Sequence, residues 1–311
     1  MAGVSTERQR GPTAVALRDP LPWHDLEQIV ATSEQTGYSA VFLPEIAGRD
    51  VFAALTGLAP GAPSLTLATG VAAIVSRTAR ITAMAAATVA ERSDGRMVLG
   101  LGTGPARKGA LDGLRAYATA VRVLLDGGAV DGERLTLDIP RPVPIWVAAL
   151  GPNAMRLAGE IADGVLLNWC PPERVAFARE RIREGAERAG RDPASVRVGV
   201  YVRSVVGQGA AGDDGLRTAA QGYASYPAYR RQFEEVGLGK EAERAAAGDV
   251  PEALLDAVAL RGDAAAASRR LEAYREAGAD LPVVYPVATL EPVSSILGTL
   301  FGLAPVPAVE G

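Results

Sequence analysis

From Val143 to Trp169 the chain reads VPIWVAALGPNAMRLAGEIADGVLLNW, and no other stretch restricts the fold as much. Residues 145–150 form an apolar run without alternation, as in a strand buried on both faces. Gly151-Pro152-Asn153 ends the run, and an amphipathic helix is predicted over 154–162. Asp163-Gly164 breaks that helix, and Val165-Leu166-Leu167 opens a second buried strand. Buried strands joined through a helix belong to a parallel sheet covered by helices. Pro suits the first turn of a helix, where its missing N–H has no partner to lose. The N–H groups that remain there, with the positive end of the helix dipole, can hold an anion such as phosphate. On the residues alone, a plain strand-to-helix turn remains the other reading.

The same alternation runs along the whole chain. Short apolar strands are predicted at 13–17, 38–43, 65–71, 97–101, 145–150, 165–167, 196–206 and 281–287. Helices are predicted between them, at 23–36, 51–58 (capped by Asp50), 77–92, 110–125, 154–162, 172–189 and 264–277 (capped by Asp263). A last helix closes the chain at 294–303. In helix 77–92 the apolar residues Ile81, Met84, Ala85, Thr88 and Val89 share one face. Helix 172–189 buries Val175, Ala178, Ile182 and Ala186 and turns Arg179, Glu180, Arg183 and Glu184 outward. Residues 131–137 read as an excursion or small hairpin. Residues 210–260 are helical and Ala-rich, with Tyr223, Tyr226, Tyr229 and Phe233 expected in helix packing rather than in a binding wall. Eight strand–helix units in 311 residues point to a (β/α)8 barrel, with a doubly wound sheet as the second choice. One domain over 13–311 is expected, after a frayed polar segment at 1–12.

Composition narrows the function classes. A net charge of −4 suggests neither a nucleic-acid nor a membrane surface. No stretch reaches the roughly 18 apolar residues of a membrane span. MAGVSTERQRGP lacks the apolar core of a signal peptide. The single cysteine, Cys170, fits a reducing compartment, and the expected location is the cytoplasm. One His and one Cys cannot build a His/Cys metal site, and His24 reads as a surface or capping residue. GxSxG and GxxxxGK[ST] are absent, and Gly100-Leu101-Gly102-Thr103-Gly104 continues with Pro105, so GxGxxG is not met.

In a barrel of this kind, sites form at the C-terminal strand ends. Here those ends are rich in glycine and poor in acids and bases, which suits a large flat cofactor. Glu45, at the end of the second strand, is either a rim carboxylate in an ion pair or a functional acid.

Four stretches together resemble the luciferase-like superfamily of flavin- and deazaflavin-dependent oxidoreductases. They are DLEQIVATSEQTGYSAVFLPE at 25–45, LATGVAAIVSRTARITAMAAATVAERSDGRMVLGLGTGP at 67–105, GERLTL at 132–137 with PIWVAALGPNAMRLAGEIADGVLLNW at 144–169, and AGAD at 277–280. The closest likeness is to the branch using coenzyme F420. The resemblance implies a TIM barrel with a helical insertion near the seventh strand, a cofactor at the C-terminal mouth, and a homodimer. It also assigns residues. Gly70-Val71 would form a bulge with a non-prolyl cis peptide behind the cofactor ring. Thr103 and Gly104 would line the ribityl chain, and Leu150, Gly151, Pro152 and Asn153 would hold the phosphate. Asn168 and Trp169 would sit beside cofactor or substrate.

The family's Glu-His after the second strand is Glu45-Ile46 here, which leaves proton transfer unassigned and makes Glu45 the candidate donor or orienting carboxylate. The loop after Gly104 is short, consistent with an open pocket for a bulky or peptide-like small molecule. Arg203 is a candidate for holding an anionic substrate or the cofactor tail, and Arg107 and Lys108 for meeting the acidic tail of F420. The reading is hydride transfer between reduced F420 and a C=C or C=N substrate. Two others stand beside it: an FMN-dependent monooxygenase using O2, and a barrel that binds a ligand without turnover.

Overall fold

Eight parallel strands close on themselves: β1 (Ala14–Ala16), β2 (Ala40–Leu43), β3 (Thr66–Thr69), β4 (Met97–Gly102), β5 (Ile145–Ala148), β6 (Gly164–Asn168), β7 (Arg197–Val206) and β8 (Leu281–Pro286). The computed structural model describes residues 11–18, 21–105 and 107–305, so the expectation for residues 1–10 lies outside it. β8 pairs with β1 through Val283–Ala14 and with β7 through Leu281–Gly199 to Pro286–Ser204. The sheet therefore has no free edge in its wall. This excludes the doubly wound alternative and makes the fold a (β/α)8 barrel. Two short strands lie off the wall: Ala72–Ala73 beside the end of β4, and Ala259–Gly262 beside the end of β7. Among the described residues no helix is long and apolar enough to cross a membrane.

The interior and the outer layer use different residues. Small side chains on β1 to β3 (Ala14, Ala16, Ala40, Ala68) leave room for Phe42, Trp146, Tyr201 and Tyr285, which fill the barrel. Tyr201 meets Phe42 and Tyr285 edge-on, with centroids 5.8 and 5.3 Å apart, a favoured aromatic geometry. Outward Val and Leu side chains of the strands pack under the helices.

Aspartates fasten two strands at their N-terminal ends. Asp163 Oδ2 accepts from Ile145 N and Arg122, each at 2.7 Å. Asp280 Oδ2 accepts from Val198 N at 2.6 Å and from Arg179 at 2.5 Å. Arg179 is thus turned inward, contrary to the outward position expected for it, because it joins helix Pro172–Arg188 to the start of β8.

Helix Ala79–Arg92 also departs from expectation. Ile81 and Met84 are 49% and 46% exposed, while Thr82, Ala83, Ala86, Ala87, Val89 and Ala90 are buried. The helix buries its small residues, which allow close approach to the barrel wall, and leaves larger ones outside. The excursion at 131–137 carries a single antiparallel bridge, Val130–Glu133. The insertion follows β7 as four helices, Gly209–Ala224, Pro227–Glu235, Gly239–Ala246 and Glu252–Val258.

Helices Pro152–Ile161 and Pro172–Arg188 approach to backbone contact. A Cβ on Gly185 would stand 1.9 Å from Arg156 O, and one on Gly159 2.1 Å from Ile182 O. Gly185→Val is expected to lower the unfolding free energy by about 3 kcal/mol, the upper end for overpacking. Urea denaturation read by circular dichroism measures it.

Candidate functional site

All eight strands run the same way, so their C-terminal ends open on one face, and the candidate residues gather there. β3 ends at Thr69, and the following Gly70–Val71 peptide is cis, at the place the family resemblance assigns to the bulge. Thr69 Oγ1 donates to Gly100 O and accepts from Gly100 N, both at 2.8 Å, which ties the bulge to β4. A Cβ on Gly100 would lie 2.1 Å from Thr69 O, and one on Gly102 2.6 Å from Val71. Only glycine permits that approach. From inside the barrel, Tyr201 Oη donates to Gly70 O at 3.1 Å. Thr103 and Gly104 continue from β4, and Arg107 and Lys108 lie on the exposed loop before helix Ala110–Leu125.

β5 delivers the Gly-Pro turn. Gly151 is the N-cap of helix Pro152–Ile161, with φ −94° and ψ 163°, and no side chain among the described residues caps it. The first intrahelical bond of the turn is Met155 N to Gly151 O at 3.1 Å. The N–H groups of Asn153 and Ala154 therefore have no acceptor within the helix and point out from its positive end. Asn153 Oδ1 accepts from Arg156 at 3.1 Å. Leu150 O accepts from Arg174 at 2.9 Å, and Arg174 pairs with Glu235 of the insertion at 2.6 Å. The turn is thereby held from behind. A crevice of about 420 Å³ opens beside it, lined by Pro152, Pro171, Phe177 and Val236 among others. An uncapped helix start with open space at Gly151, on the same mouth as a bulge packed against glycines, fits a cofactor with a phosphate and a flat ring.

The opposite wall comes from β6, β7 and the insertion. Gln232 Nε2 donates to Asn168 O at 3.0 Å and to Trp169 O at 2.7 Å. This clamp holds Trp169 at φ +51°, a conformation few non-glycine residues adopt. Trp169 is 1% exposed and lies in the insertion core, its ring 5.0 Å from that of Tyr223. It packs against Tyr223 and flanks the Arg203 guanidinium. Asn168 Nδ2 donates to Tyr229 Oη at 2.8 Å. Tyr223 and Tyr229 thus stand at the site, while Phe233 is core and Tyr226 is exposed. Tyr223, Tyr229 and Phe233 pack in or against the insertion core as expected, and Tyr223 and Tyr229 also reach Arg203 and Asn168.

Arg203 stands on the inward face of β7, two residues beyond Tyr201. It is 5% exposed, with Cζ 3.6 Å from the Tyr285 ring centre, 5.1 Å from Trp169 and 5.3 Å from Tyr223. Its hydrogen-bond partners are neutral: Tyr223 Oη at 3.1 Å and Asn168 Oδ1 at 3.4 Å. Contacts of this aromatic kind contribute about 0.5–2 kcal/mol each. An unpaired buried charge costs several kcal/mol.

Glu45 takes part in an ion pair. Arg77 bridges it to Asp50 and lies over the Phe52 ring, 5.1 Å from its centre. The hydrogen bond to Glu45 first, then that to Asp50, holds the Arg77 pKa above its ordinary value against burial. Glu45 Oε2 is buried and has no hydrogen-bond partner among the described residues. His24 is exposed and pairs with Asp25 at 2.8 Å. Sequence reasoning missed Tyr201, Arg77 and Gln232. The alternation Gly199, Tyr201, Arg203 along one strand face is the signal that could have found Tyr201.

The family model described as luciferase-like monooxygenase matches residues 2–281. A 5,10-methylenetetrahydromethanopterin reductase of Methanolobus tindarius is 34% identical over 188 residues, which is 54% of this chain and 57% of that protein. The chain spans about half the length of the curated relatives it matches. The structure of the coenzyme F420 dependent tetrahydromethanopterin reductase from Methanopyrus kandleri superposes with TM-score 0.76 at 20% identity, covering 94% of this chain and 98% of that one. The oxygenating constituent of 3,6-diketocamphane monooxygenase from Pseudomonas putida, in complex with FMN, gives 0.66 at 15%, covering 96% and 99%. Both likenesses bear on the fold.

Burial pushes the Cys170 thiol, beside the wall, from near 9.0 up to about 12, with Arg174 opposing. The folded thiol keeps its proton in that window while the unfolded one loses it, so its contribution to stability falls as pH rises above about 9. Denaturation midpoints at pH 8 and pH 10 are expected to fall further for the native chain than for Cys170→Ala. Ellman's reagent at pH 8 is expected to label Cys170 only after unfolding.

Proposed function

The chain belongs to the luciferase-like monooxygenase family, and from that premise we propose that it is an F420-dependent oxidoreductase acting on an unsaturated C=C or C=N substrate. The observation that carries this reading is the uncapped Gly151 turn on the same mouth as the Gly70–Val71 bulge. The sequence likeness to a 5,10-methylenetetrahydromethanopterin reductase, together with the likeness in fold to a coenzyme F420 dependent tetrahydromethanopterin reductase, supports the deazaflavin over the flavin. When bound, F420 supplies a hydride donor or acceptor on its deazaflavin ring.

The protein's share is binding, orientation and exclusion of water. Leu150, Gly151, Pro152 and Asn153 form the phosphate turn, and the free backbone N–H groups of Asn153 and Ala154 donate to the phosphate, a helix-terminus interaction of about 0.3–2 kcal/mol. Thr103 and Gly104 line the ribityl chain. Gly70 and Val71 back the ring, and Arg107 and Lys108 meet the acidic tail. Asn168 faces the ring, and Trp169 acts through Tyr223. Phe42, Tyr201 and Tyr285 keep water from below. Glu45 is an orienting carboxylate: Arg77 occupies one oxygen, and Oε2 is left to accept a hydrogen bond from a ligand. Fixing the reactants in one geometry supplies most of the rate effect. Exposed Ile81 and Met84 offer a face for the homodimer the family implies.

A second reading is an FMN-dependent monooxygenase using O2, favoured by the structural likeness to an FMN-bound monooxygenase. The same turn would take its phosphate.

Titration of the full chain with F420 and with FMN, read by fluorescence quenching, separates these. F420 is expected to bind at least tenfold tighter than FMN. Gly151→Asp is expected to weaken F420 at least tenfold, about 1.4 kcal/mol. Aspartate is a favourable N-cap and has open space there, so the helix is kept while its carboxylate competes for the N–H groups. Preference for FMN establishes the second reading. Binding of neither leaves a barrel without flavin chemistry.

A further inference from the structure

We propose that Arg203 is a carboxylate receptor, so that the substrate of this site is a planar, conjugated carboxylate whose anionic end lies at β7 and whose unsaturated part extends toward the Gly70–Val71 bulge. The proposal deepens the oxidoreductase reading and rests on it for the location of the reacting ring.

Three observations carry it. First, Arg203 is a buried guanidinium without an anionic partner: its hydrogen bonds go to Tyr223 Oη and Asn168 Oδ1, and none of its contacts among the described residues is to a carboxylate. The other arginine buried beneath this wall, Arg174, has Glu235. The contact to Asn168 is long at 3.4 Å, so a better acceptor displaces it at little loss. A guanidinium fork takes a carboxylate through two parallel hydrogen bonds and binds far less to a neutral amide.

Second, the surroundings select shape. Tyr285 lies under the guanidinium at 3.6 Å, with Trp169 and Tyr223 at its sides. Flat aromatic walls around a planar cation accept a flat anion. Third, the receptor and the bulge share one floor. Tyr201 Oη donates to Gly70 O, and the Tyr201 ring packs edge-on against Tyr285 beneath Arg203. A ligand held at Arg203 therefore lies across the aromatic floor with its other end directed to the bulge. A carboxylate conjugated to the reacting double bond also makes that bond electrophilic, as hydride acceptance requires.

The test uses trans-cinnamate and benzoate with their neutral amides as probes, titrated into the full chain without cofactor and followed by tryptophan fluorescence. Each acid is expected to bind at least tenfold tighter than its amide. Arg203→Gln is expected to abolish that preference and Arg203→Lys to retain part of it, with F420 affinity unchanged within twofold in both. Circular dichroism establishes that the variants are folded. Equal binding of acid and amide, or no binding of either, overturns the proposal. A loss of affinity in Arg203→Gln for F420, but not for the deazaflavin lacking phosphate and tail, also overturns it and assigns the cation to the cofactor tail. If the acids are selected but F420 does not bind, the receptor stands and the oxidoreductase reading fails.

Discussion

The pairing of β8 with both β1 and β7 is the constraint on which the remaining structure depends. The helical crossovers send every strand the same way, and closure gathers their C-terminal ends around one mouth. It also forces the inward residues of β7 and β8 into the middle of the mouth, where Tyr201, Tyr285 and Arg203 meet. In an open sheet those side chains would lie on a face beneath a helix. The residues of the candidate site come from separate strands, and closure alone makes them neighbours.

Much of this architecture was legible along the chain. The strands are continuous apolar runs, and a parallel strand buried on both faces has no other way to read. Asp50 and Asp263 cap their helices as their positions suggest. The turn at Gly151 was visible because Gly and Pro have few other uses between a strand and a helix. The bulge at Gly70–Val71 was visible only by family resemblance, since nothing in the pair Gly-Val alone specifies it. The apolar face of helix Ala79–Arg92 was misread because hydrophobicity does not report distance: alanines win the buried face where backbones come close. The floor was not legible, because Tyr201 and Tyr285 are far apart in sequence and look like ordinary strand residues. Arg203 could be named as a candidate, but its lack of a counter-ion is a property of three dimensions.

Charge is handled differently on the two sides of the mouth. Beside β2, Arg77 is satisfied by Glu45 and Asp50, and the excess there is a buried carboxylate oxygen. Beside β7 the excess is a cation among neutral rings. Low local dielectric makes both more consequential than the same groups on the surface. The mouth thus presents an acceptor at one side and a donor fork at the other, with an aromatic floor between them.

The insertion shares a packed core with the end of β7 and is tied to the end of β6 by polar contacts. Gln232 holds two carbonyl groups at the end of β6, Tyr229 meets Asn168, and Glu235 pairs with Arg174 behind the Gly151 turn. All three come from a single nine-residue helix, Pro227–Glu235. That helix behaves as a seam, and helix Gly209–Ala224 adds a second one through Tyr223, which accepts from Arg203 and packs on Trp169. A lineage, or an engineer, replacing this segment to reshape the pocket could graft it as a cassette, provided both seams, with Tyr223, Tyr229, Gln232 and Glu235, are carried over intact.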